Sequence, residues 1–101
     1  MSVDILLAEA GLYFTQGKFE QAEAAFEKVL ALQPLHPVAS SGLFNTLWSM
    51  DTNVSKLTAQ KVIENFLGNA NRDDSEVKPV AISFIRIKIG LLQKDAWLLH
   101  K

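Results

Sequence analysis

The 101-residue chain contains no cysteine, so neither a disulfide nor thiolate chemistry is open to it. A cysteine-free chain fits a reducing compartment. It also lacks an excess of either charge: ten Lys and Arg stand against eleven Asp and Glu, for a net charge of −1. That balance suggests neither nucleic acid nor an anionic membrane as a partner. Long apolar runs are absent too, none reaching the about 18 residues that a membrane span needs, and Met1 to Leu7 lacks the basic start and long apolar core of a signal peptide. A soluble, cytoplasmic protein is the expectation.

Catalytic groupings are equally sparse. His36 and His100 are the only histidines, and neither has an acidic residue or a second histidine at metal-ligand spacing. The serines form no nucleophile motif, the five glycines form no phosphate-binding loop, and the adjacent Asp73 and Asp74 suit a turn or a helix cap. No catalytic residue, metal or cofactor is therefore expected, and function must rest on shape.

What the chain does have is one stretch of specific spacing, Leu6 to Pro34. A large apolar residue at Leu6 is followed by Tyr13, Gly17, Phe19, Ala22, Phe26 and Pro34. Gly17 suits a point where one helix stops and the chain reverses, since glycine takes the left-handed conformation without steric cost. Ala22 permits close approach of two helices. Tyr13 and Phe26 fill the space around that contact, and Pro34 ends the second helix. The pattern resembles the tetratricopeptide repeat, a helix-turn-helix of 34 residues whose signature places Tyr, Ala, Phe and Pro where Tyr13, Ala22, Phe26 and Pro34 stand. Leu6 replaces the usual Trp, Glu9 a Leu, Ala10 a Gly and Val29 a small residue. Such departures suit a first helix with no preceding repeat to pack on.

The rest of the chain continues the pattern more weakly. Helices are predicted over Val3 to Thr15, with Ser2 or Asp4 as cap, and over Phe19 to Leu32. A third is expected from Pro37 to about Met50, and a fourth from about Val54 to Leu67, ended by Gly68. Repeat 1 thus covers about 3–34 and a degenerate repeat 2 about 37–68, where Ala59 and Ile63 restate Ala22 and Phe26 thirty-seven positions on. An insertion in the second turn would explain the three extra residues. A polar loop spans 69–76. Val80 to Ile89 alternates like a strand, but four helices precede it and a lone strand has no partner, so a helix is predicted over about 76–93. Phe84, Ile87 and Leu91 then resemble the large residues of a third repeat, Asp95 begins a turn, and Trp97, Leu98 and Leu99 start a short final segment. The fold expected is one all-α domain over 1–101, about five helices plus a short C-terminal segment, stacked as hairpins into a right-handed superhelix.

By the same resemblance, the first helix of each hairpin lines a concave groove that binds a peptide or helix of another protein. The groove residues implied are Asp4, Leu7, Gly11 and Phe14, then Ser41, Asn45, Trp48 and Ser49. Tetratricopeptide domains that grip a C-terminal carboxylate carry Lys, Asn and Arg there. Only Asn45 matches, which argues against a carboxylate clamp. Leu7, Phe14 and Trp48 instead suit an amphipathic helix or an extended apolar segment; the other reading of Phe14 and Trp48 is as core. Ile85, Ile89, Trp97 and Leu98 have few later residues to cover them, which points to a homodimer or partner interface. The expected function is a non-catalytic adaptor or small chaperone, and the alternative is a structural subunit or oligomerisation module of a larger assembly. Small tetratricopeptide-like chaperones of bacterial type III secretion systems are similar in size and acidity. An RNA-binding repeat is disfavoured by the pI of about 6.1 and by the absence of basic residues on the inner faces.

Overall fold

In the computed structural model, which describes residues 2–71 and 73–99 and side chains as far as Leu91, five helices and no strand are found. Helix α1 spans Val3–Thr15 and α2 spans Phe19–Leu32, as the spacing predicts. Helix α3 is Pro37–Ser49, with Pro37 in its first turn, and α4 is Asn53–Asn69. Helix α5 runs from Val77 to Leu99 without a break. The turn expected at Asp95 and the separate segment after it are therefore replaced by one continuous helix. Gly68 does not end α4 either. The chain leaves the helix at Ala70, in an extended conformation.

The two hairpin turns are built alike. In the first, Gly17 adopts φ 74°, the Lys18 N–H donates to the Tyr13 carbonyl (2.9 Å) and the Gly17 N–H to that of Phe14 (3.0 Å). This pair of hydrogen bonds, a Schellman turn, satisfies carbonyls that the helix end would leave open. Thirty-four positions on, Asp51 takes the same left-handed conformation, with φ 57°, and its N–H donates to the Trp48 carbonyl (3.2 Å). The next N–H, that of Thr52, goes instead to Ser55 Oγ (3.1 Å), while the Ser55 N–H donates to Thr52 Oγ1 (3.0 Å). That reciprocal pair is a capping box that starts α4. Both turns have the same length. The three extra residues expected in the second turn sit in α4 itself, 17 residues long against 14 in α2.

Burial follows the same register. Leu6 and Ala10 of α1 are buried, as are Ser40 and Phe44 thirty-four positions later in α3. Ala22, Phe26 and Val29 of α2 are buried, as are Ala59, Ile63 and Phe66 thirty-seven positions later in α4. Glu9, where a large apolar residue would be expected, is exposed, and so is the apolar Leu57 of α4. Alanines at the contact points bring helices close, and glycine goes further. A Cβ on Gly42 of α3 would overlap the buried ring of Phe26.

Each helix packs on its neighbours along the chain, α1 on α2, α2 on α3, α3 on α4 and α4 on α5. Helix α3 also touches α1 and α5, whereas among the described residues α2 and α4 make no close backbone approach. Helices α1, α3 and α5 therefore form one layer, and α2 and α4 lie outside it. Three rings tie α5 into this arrangement: Phe84 meets Phe66 of α4 edge-on at 5.4 Å and Phe44 of α3 at 5.7 Å. Rings at such separations gain attraction beyond their buried area. The molecule measures 50 × 33 × 18 Å.

Candidate functional site

The layer of α1, α3 and α5 brings the residues implied for the groove onto neighbouring helices. Leu7, Gly11 and Phe14 of α1 are half-buried, as are Ser41 and Trp48 of α3, while Asp4, Asn45 and Ser49 are exposed. None of the eight is fully buried, so all keep some surface for a partner. Leu7, Gly11 and Phe14 stand thirty-four positions before Ser41, Asn45 and Trp48, so equal faces of two adjacent helices carry them. The surface is mixed: an amide at Asn45, hydroxyls at Ser41 and Ser49, and apolar groups at Leu7, Phe14 and Trp48.

The two large rings are held by their own hairpins. Phe14 packs against Phe19 at the start of α2, centroids 5.6 Å apart. Trp48 stacks on Phe44 one helical turn away (5.7 Å), and Lys56 of α4 places its Nζ 5.2 Å from the Trp48 ring. Phe19 and Lys56 are themselves thirty-seven positions apart, the same offset as the buried residues of α2 and α4. The second hairpin thus repeats the ring contact of the first, with a cation in place of an aromatic. Lys56 also pairs with Asp51 at 2.7 Å, and the hydrogen bond and charge of Lys56 hold the Asp51 carboxyl below its ordinary range. Spacing placed Phe19 in the repeat pattern but did not name it as the neighbour of Phe14, nor Lys56 as that of Trp48, because periodicity assigns a face and not the neighbour across a hairpin.

Away from this layer, a cleft of about 690 Å³ opens where the first turns of α2 and α4 flank the end of α3. Its lining includes Phe19, Leu47, Met50 and Val54 together with Lys18, Glu20 and Glu23. Burial, and then the charges of Glu27 and Glu20, raise the Glu23 carboxyl above its ordinary value. Ile85 and Ile89, expected in an interface, are exposed on α5 together with Ile82. Trp97 and Leu98, expected beside them, lie outside the described side chains. His36 accepts a hydrogen bond at Nδ1 from the Ala39 N–H (3.3 Å), capping α3, and His100 falls outside the described residues. No group of three or more potential metal ligands, and no helix long and apolar enough to cross a membrane, occurs among the described residues.

No family model, curated protein or solved structure matches the chain.

Proposed function

We propose that the chain is a tetratricopeptide-like interaction module that binds a peptide or amphipathic helix of a partner protein along the face shared by α1 and α3. The observation that carries this reading is the doubled register, in which turn, buried contacts and cross-hairpin ring contact all recur at offsets of thirty-four or thirty-seven positions. Two hairpins built alike and laid side by side put the same helix face forward twice, which suits a ligand running across both. The chemistry of the face favours an apolar ligand with backbone groups within reach of Asn45, and not a terminal carboxylate, for which Lys and Arg are missing. An adaptor or small cytoplasmic chaperone needs no more than this.

The test compares the native protein with Asn45→Arg and Trp48→Glu on the face, and with Lys61→Glu on the exposed side of α4, against a display library of amphipathic peptides. Ligands retained by the native protein and by Lys61→Glu, but lost by the two face variants at unchanged helicity, are the expected result. Peptides that bind all four proteins equally would overturn the assignment of the face. A second reading, a structural subunit that assembles through α5, is favoured by the exposed Ile82, Ile85 and Ile89.

A further inference from the structure

The first and last helices of the stack each leave one apolar stripe uncovered. On α1, Ile5 and Leu12 are 61% and 57% exposed, with the exposed Ala8 between them. On α5, Ile82, Ile85 and Ile89 are 46%, 37% and 48% exposed. Both stripes have the same spacing, a first residue followed by one three positions and one seven positions later, so each forms a straight row about 10 Å long on its helix. The rows match in length and spacing, with the small Ala8 at the centre of one and Ile85 at the centre of the other.

Their charges are complementary. From Met1 to Gly17 the only charged side chains are Asp4 and Glu9, both exposed and flanking the α1 stripe. From Val77 to Gln93 the only ones are Lys78, Arg86 and Lys88, all exposed, with Lys78 in line with the α5 stripe and Arg86 beside it. Opposite charge across an apolar contact selects the pairing, and like charge opposes α1 on α1 or α5 on α5. Among the described residues, helices α1 and α5 of one molecule make no close backbone approach. They lie at opposite ends of the chain's packing order, so a second molecule is needed to bring such stripes together.

We propose that the chain associates with copies of itself head to tail, the α5 stripe of one molecule seating on the α1 stripe of the next. The contact is heterologous, so each added copy presents a fresh α1 or α5 end and growth does not stop at two. Short stripes make it weak, below the area of a standard stable interface. It does not depend on the groove between α1 and α3.

Sedimentation equilibrium over a range of concentrations tests the polarity. For the native protein the weight-average mass should climb past twice the 11.2 kDa of the chain, and climb less when salt is raised. Ile5→Glu and Ile82→Glu, each on an exposed position and each checked for native helicity, should be monomeric alone. Mixed in equal amounts they should form a one-to-one dimer that grows no further, because one supplies an intact α5 and the other an intact α1. A native protein that stays monomeric, a mass that levels at two copies, or an Ile5→Glu variant that associates like the native protein would each overturn the proposal.

Discussion

Gly42 is where a single methyl group decides the packing of two helices. Alanine is the better helix former by about 1 kcal/mol, yet its Cβ would enter the space of the Phe26 ring, which is buried and has little room to retreat. The clash wins, and Gly42→Ala is expected to destabilise the fold by about 1–2 kcal/mol net in urea unfolding. Thr52→Ala breaks the capping box that starts α4 and should cost about 1 kcal/mol, whereas Thr58→Ala, whose hydroxyl bonds to the Val54 carbonyl on an exposed surface, should cost little. Glu23 works in the opposite sense. Its folded pKa lies above the ordinary 4.5, so the ionised form opposes folding above the folded pKa, and the penalty disappears below the unfolded one. Glu23→Gln should therefore add about 0.3 kcal/mol at neutral pH, a value reduced by solvent screening, and nothing at about pH 3. Asp51 has its pKa lowered by Lys56, so that pairing favours the fold above the ordinary carboxylate range and fades as pH falls through the folded pKa. Lys56→Met should return the Asp51 carboxyl resonance to an ordinary midpoint in an NMR titration.

Helices α1 and α2 were legible because each is followed by punctuation, Gly17 after α1 and Pro34 after α2, although the expected side-chain cap at Ser2 is not made. Helix α4 ran past Gly68 because one glycine weakens a helix without stopping it. Asn69 extends the turn by donating its side-chain amide to the Asn65 carbonyl. The location of the extra residues of the second hairpin was not legible, since an offset of thirty-seven is the same whether the added turn lies in a loop or in a helix. Alternation over Val80 to Ile89 imitated a strand because Ile and Val fill two faces of α5, one set against the core and one open to water. The buried set depends on Phe84. Phe84→Ala removes the ring lodged against Phe44 and Phe66, and the expected outcome is selective: amide protection lost along α5 while α1 to α3 keep theirs, measured by hydrogen exchange. Uniform loss of protection would mean that α5 folds as one unit with the rest. For the implied groove, the sequence assigned residues to faces of α1 and α3 but left Phe14 and Trp48 undecided between groove and core. Both are half-buried because Phe19 and Lys56, on the opposite arms of their hairpins, cover part of each ring.

At the scale of the molecule, the packing order is almost the chain order, with α3 as the one helix that reaches two places along in both directions. Stability in such a stack is a sum of local terms and contacts between neighbours, so damage at either end should spread inward only as far as the next helix. The same ordering governs how the chain finds its structure. Few contacts join residues far apart in sequence, so little loop entropy is lost before a contact forms, and the barrier to folding is low. Refolding by stopped-flow mixing should be complete on the order of milliseconds or faster, as for other helical domains of local topology. In a stack so ordered, an end helix that opens can close again on its neighbour without the rest of the chain having to unfold.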